Sequence, residues 1–174
     1  MPAKWIGEQL DNRNYLAPIG FQLDLDIFPS VDFMCQRANL PGISMPVTDV
    51  PTRFRTYPIV PGGGVTYDDL TVTFLVDEDL ENYISIHNWI IDNGNGYEME
   101  TTEDYPRYSN ARLLILTSNF NVNHIIDYEN VFPYNLTPVN FDAGDTGSEY
   151  FTASVSFKFT RYTFRDSRFI ERKD

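Results

Sequence analysis

TFLVDEDLENYISIHNWI, residues 73–90, changes period at its middle. Its first residues continue the alternation of LTVTFLV (70–76), the pattern of a half-buried strand. After the acids, Leu80, Tyr83, Ile84, His87, Ile90 and Ile91 recur at spacings of three and four, which is the period of a helix with one apolar face. The cluster Asp77, Glu78, Asp79 between the two is either a site or a helix start. Position favours the start: Asp77 is placed as an N-cap, with Glu78, Asp79 and Glu81 in a first turn whose free amides attract carboxylates. No second His or Cys lies nearby to complete a metal set. The stretch therefore predicts a strand running straight into a helix over 78–91, whose stripe lies on a sheet with the His87 ring at its edge.

Around this hinge the chain is strand-rich. In GFQLDLDIF (20–28), Phe21, Leu23, Leu25 and Ile27 alternate with Gln22, Asp24 and Asp26, so one face is buried and the other is wet and acidic. VDFMCQRANLPGI (31–43) reads as a second strand, with Cys35 turned inward beside Val31 and Phe33 and a stop at Pro41 and Gly42. TRFRTYPIV (52–60) offers a third extended piece, closed by PGGGVTYDD (61–69), whose glycines accept backbone angles other residues avoid. ARLLILTSN (111–119), nearly all apolar, is expected to be covered on both faces, and NHIIDYENVF (123–132) follows as another strand. In 151–160, Phe151, Ala153, Val155, Phe157 and Phe159 face one way, against Thr152, Ser154, Ser156, Lys158 and Thr160. The fold class is mainly β with one helix of consequence. The period-free stretch between Ile91 and Asn110 is long for a compact domain and reads as a contact loop.

The 174 residues fit one domain, and 42% hydrophobic with 15% aromatic residues provide for a packed core. No apolar run approaches the roughly 20 residues that span a bilayer, and no signal segment is expected at the start. The formal net charge of -12 argues against sequence-independent nucleic-acid binding, which comes from Lys and Arg on phosphates. The sign is uneven: residues 158–174 hold six bases against three acids. A basic end on an acidic body reads as a docking tail for an acidic neighbour.

Other motifs fail on chemistry. GDTGSEY (144–150) carries the Asp-Thr-Gly of aspartic proteases but lacks the preceding apolar strand, and Asp145 reads as part of a loop. DNGNGYEMETTE (92–103) puts Gly94 and Gly96 where a calcium loop needs side-chain oxygens. PGGGVTYDD has no Lys-Ser or Lys-Thr to grip phosphate, and two distant histidines support no catalytic triad.

The order of Cys35, NLPG (39–42), TYDDLTVTFLVDEDLENY (66–83), ARLLILTSN, VFPYNLTPVNFD (131–142) and an alternating last strand resembles the tail-tube family of contractile-tailed bacteriophages, over residues 15–164. The resemblance implies a β-barrel or sandwich with one flanking helix. It also implies a homohexameric ring, joined by its inner sheets, that stacks on adjacent tube rings as a conduit for DNA. It implies no catalysis, and no metal, cofactor or membrane is expected. Expected partners are the chain itself, tube rings, and sheath, neck or baseplate proteins, with DNA passing unbound. The expected place is the virion tail, after assembly in the host cytoplasm.

The chain then divides into an N-terminal arm (1–18), a β domain (19–164) and a basic tail (165–174). Gln22, Asp24, Asp26, Thr152, Ser154, Ser156 and Thr160 are expected to line the lumen: short hydroxyls leave little to snag a moving polymer, and acids repel phosphate. Arg53, Arg55, Tyr57, Gly62, Gly63 and Gly64 are expected to touch the adjacent ring. Arg165, Arg168, Arg172 and Lys173 form the docking tail, whose presence favours a tube-terminating ring over the repeating tube subunit or the baseplate-proximal initiator. A sugar-binding β-sandwich, from 11 tyrosines and two tryptophans, and an acid-dependent hydrolase using Asp77, Asp79 or Asp145 are the readings from other classes.

Overall fold

The computed structural model describes residues 16, 18–27, 34–60, 62–94, 106–141 and 150–166. The expected arm (bar Leu16 and Pro18), the Asp145 loop, and tail residues Arg168, Arg172 and Lys173 lie outside them. The strands are β1 Phe21–Leu25, β2 Cys35–Ala38, β3 Ile43–Ser44, β4 Thr48–Pro51, β5 Thr56–Ile59, β6 Thr66–Tyr67 and β7 Leu70–Leu75. After helix α1 (Glu81–Gly94) come β8 Ser109–Leu116, β9 Val122–Leu136, β10 Thr152–Lys158 and β11 Arg161–Asp166.

Seven strands form one antiparallel sheet in the order β1-β8-β9-β10-β7-β2, with β11 also on β9. The sheet rolls around a single core, bringing β1 and β2 near each other without a ladder between them. Leu23, Leu25, Ala111, Leu113, Ile126 and Tyr128 come from one half, and Leu70, Val72, Phe74, Ala153, Val155 and Phe157 from the other. Ile86 and Trp89 of α1 join the same cluster. Each large apolar side chain so buried contributes about 1.5–3 kcal/mol.

The roll is made at one corner. In β9 the buried residues are Ile126 and Tyr128, then Val131 and Pro133, so the phase of alternation slips by one at Asn130, whose φ is 55°. On the partner, Phe157 and Phe159 give way to Tyr162 across Thr160. Asn130 Nδ2 donates to Thr160 Oγ1 at 3.2 Å, and Thr160 N to Glu129 O at 3.0 Å. Because the slip turns each strand without exposing its apolar face, both cross from one half of the sheet to the other with the core intact.

Several expectations are corrected. The helix begins at Glu81, not at residue 78, and Asp77 does not cap it. Asp77 O instead accepts from Leu80 N at 3.2 Å in a turn, Leu80 takes φ 58°, and its carbonyl receives the first helical bond, from Ile84 N at 2.9 Å. Buried Asn82 sets this geometry, donating from Nδ2 to Leu75 O at 2.7 Å and tying the first helical turn to the end of β7. The buried face of α1 is accordingly Asn82, Ile86 and Trp89, while Ile84, His87 and Ile91 of the expected stripe face solvent. Residues 52–60 are not one extended piece: Arg53, Phe54 and Arg55 form the turn between β4 and β5. β8 is covered on one face only, with Arg112 on the other, because its neighbours β1 and β9 carry charge on that side. Arg165 belongs to β11, opposite Ile125, rather than to a tail.

Candidate assembly surfaces

The residues between Gly42 and Thr66 leave the body as an arm. Its root is built with care. Asn39 uses its side-chain amide as a further strand link, donating to Asp69 O at 2.9 Å and accepting from Thr71 N at 2.6 Å. Asp68 N donates to Gly42 O at 3.0 Å, β3 pairs with β6, and Tyr67 packs at an angle against Phe159 and Tyr162 with ring centroids 5.6 and 5.2 Å apart. Beyond the root, β4 pairs with β5 and the chain returns through Gly62 and Gly64, at φ 68° and 92°, angles that suit glycine.

Every residue from Gly42 to Val60 is exposed. Nine large apolar side chains between Ile43 and Val65 range from 41% exposed at Val50 and Ile59 to 92% at Phe54. Such a concentration marks a surface built to be covered. Pro51 and Pro58 lie in the hairpin strands and withhold backbone donors, so the arm offers side chains rather than a free ladder. The expected contact residues Arg53, Arg55, Tyr57, Gly62, Gly63 and Gly64 all lie on it, and Arg53 and Arg55 rest 5.7 and 5.9 Å from the rings of Phe54 and Tyr57.

The expected lumen residues fall on the outer faces of two different halves of the sheet. On one half, Asp24 of β1 and Asp26 just after it hold Arg112 at 3.4 and 3.3 Å, Arg112 reaches Asp127 at 3.9 Å, and Arg165 lies 2.8 Å from Asp127. Arg161 grips Glu129 with two bonds of 2.7 and 2.9 Å, which hold the carboxyl below the usual carboxylate range and push the guanidinium up. Gln22 lies on this face too, and the acids here are matched by arginines rather than free.

The other half carries short hydroxyls. Thr152, Ser154 and Ser156 of β10 stand opposite Leu75, Thr73 and Thr71 of β7, with Asn135 of β9 beside Ser156. Thr73 and Ser154 share a hydrogen bond of 2.9 Å, and Ser154 N donates to Thr137 Oγ1 at 2.8 Å. Thr160 sits apart, at the corner. At one end Lys158 pairs with Asp69, which also accepts from Tyr134 Oη. The Lys158 ammonium, ahead of the Tyr134 hydroxyl, holds the Asp69 carboxyl low, and Asp69 in turn raises Lys158 and Tyr134.

Among the described residues no three or more His, Cys, Asp or Glu gather as a metal set, and no helix is long and apolar enough to cross a membrane. Sequence reasoning missed Asn39, Asn82 and Asn130, the three asparagines that fix the arm root, the helix start and the sheet corner. Only the break in alternation at 129–131 signalled one of them.

Among the described residues, a rolled antiparallel sheet with one helix, open strand edges and a projecting apolar arm is the build of an assembling subunit. The family model described as phage tail tube protein matches residues 11–165, and the chain belongs to that family. It is 27% identical to the tail tube terminator protein of Enterobacteria phage T4 over 130 residues, 73% of this chain and 74% of that one. Its fold resembles the tube terminating cap of the anti-feeding prophage, with TM-score 0.67 and 14% identity over 95% of this chain and 100% of that one. It also resembles a chain of the sheath/tube terminator structure of the extracellular contractile injection system PVC, with TM-score 0.62 and 15% identity over 88% and 99%. The recognition from sequence and the mainly β fold with one helix are both borne out.

Proposed function

We propose that this chain is a structural, noncatalytic ring subunit that terminates the tube of a contractile tail at its head-facing end. The observation that carries the assembly reading is the arm, whose apolar side chains are exposed and have no cover among the described residues. The terminating position is supported by the T4 relative and by the likeness in fold to two terminator structures. A ring of six closes by pairing the open edges of β1 and β2 between neighbours, which removes two of the edges that a lone subunit exposes. The arm carries contact beyond its own subunit. Sheath or neck proteins cover the outside, and the ring forms in the host cytoplasm before taking its place in the virion tail.

The lumen wall is the hydroxyl face of β7 and β10. Thr71, Thr73, Ser154 and Ser156 are short and uncharged, whereas the outer face of the other half carries Arg112, Arg161 and Arg165, each paired with an acid. Gln22, Asp24 and Asp26 then lie away from the DNA, as part of a charge ladder that stiffens the sheet. Gold-labelled protein in virions tests the position by electron microscopy: label at the head-facing tip of each tail is expected. Label along the whole tail indicates the repeating subunit, and label at the baseplate the initiator; either overturns the terminator reading.

A further inference from the structure

On the solvent side of α1, Glu81, Ile84, Asn88, Ile91 and Asp92 share one face, at helical spacings, and all are exposed. Ile84 and Ile91 are 47% and 46% exposed. The two acids stand about 16 Å apart along the axis, at 1.5 Å per residue. Residues 77–94 hold five acids and no Lys or Arg. The surface is thus an aliphatic strip with an acid at each end, and among the described residues nothing covers it.

The arm tip has the inverse pattern. Arg53 and Arg55 flank Phe54, which is 92% exposed, and each guanidinium lies by an aromatic ring. From Gly42 to Phe54 the chain extends at most ~40 Å, at ~3.3 Å per residue, more than the width of a small domain. With prolines in both hairpin strands, the tip engages by side chains rather than by strand addition.

The geometry points to the strip Glu81–Ile84–Asn88–Ile91–Asp92 of α1 as the receiving surface for the Arg53–Phe54–Arg55 tip of a second copy of this chain. The charge complementarity chooses the occupant: base, ring, base meets acid, aliphatic strip, acid. The ring is the buried anchor, and the charged ends set register and steer approach. Because donor and receiver are different patches of one chain, the contact runs head to tail and propagates around a closed ring. This rests on the ring-subunit reading above and adds detail to it, since the arm then binds within the ring rather than between rings.

The test uses the full chain in sedimentation velocity over a concentration series, together with joining to purified tubes seen by electron microscopy. R53E/R55E, E81K/D92K and I84S/I91S are each expected to raise the self-association constant for dissociation at least about tenfold. Combining the two charge reversals is expected to restore it to within about threefold of the parent. The substituted side chains are all exposed, and circular dichroism confirms the fold. Should a variant fail to fold, Phe54→Cys with Ile91→Cys in a Cys35→Ser background supplies a second measurement: oxidation is expected to give covalent multimers. Wild-type assembly by the helix variants, a combined variant no better than its parents, or no cross-link overturns the proposal. If arm variants form rings normally but no longer join tubes, the arm serves the adjacent ring; the inference falls and the terminator reading stands. If the parent chain neither assembles nor joins tubes, that reading itself falls.

Discussion

Asn82 shows how much one polar side chain can set. It is fully buried, yet its amide donates to the last carbonyl of β7 and so determines where the helix begins and which face it buries. Asn82→Ala leaves Leu75 O without its donor inside the protein, and is expected to cost about 1–3 kcal/mol, read from urea midpoints. Tyr128 is the opposite case. Its hydroxyl is buried with no hydrogen-bond partner among the described residues, and burial, with Tyr162 close by, pushes the phenol above the usual tyrosine range. Tyr128→Phe is expected to leave stability within about 1 kcal/mol of the parent, on the stabilising side, because only an unpaired polar atom is removed. The period of residues 73–90 made the strand and the helix legible, but not Asn82. An asparagine in the first turn of a helix carries no local sign that its partner is a strand carbonyl.

At the scale of elements, the start of β7 is joined on the surface to β9 and β10 by Asp69, just before the strand, with Tyr134 and Lys158, and β9 is joined to β11 by Glu129 and Arg161. The Asp69 and Glu129 carboxyls are both lowered in the folded state. In the window between the folded and unfolded values the unfolded chain binds more protons, so this stability is present at neutral pH and lost as pH falls below the usual carboxylate range. Lys158 is raised, and its contribution is lost as pH rises past the usual lysine range. Urea midpoints followed from neutral to acid pH are expected to fall less steeply in Asp69→Asn plus Glu129→Gln than in the parent. An unchanged acid limb would show that these pairs contribute nothing. The alternation of β1 and β10 was readable because one face of each is buried. The four-residue strands of the arm were not, because neither face meets a core and no period is imposed on them.

For the whole molecule, β9 runs through both halves of the sheet and a single core joins them, so unfolding is expected as one transition by tryptophan fluorescence and far-ultraviolet circular dichroism. The arm stands outside that core. Replacing residues 45–64 by a short Gly-Ser turn is expected to keep the melting temperature within a few degrees, since almost no core burial is lost, while abolishing assembly. A large drop in melting temperature would mean that the arm supports its own subunit.

The sequence by itself determined the fold class, one helix after β7, the alternating core strands and the family, because each is written in local period or in a run of adjacent residues. Only the tertiary structure decided which face of α1 is free, how β9 and β10–β11 turn together at Asn130 and Thr160, and that Asp24 and Ser154 look out from different halves of the sheet. Those features depend on pairings between residues far apart in the chain. Nothing local distinguishes an acid facing water from one already holding an arginine.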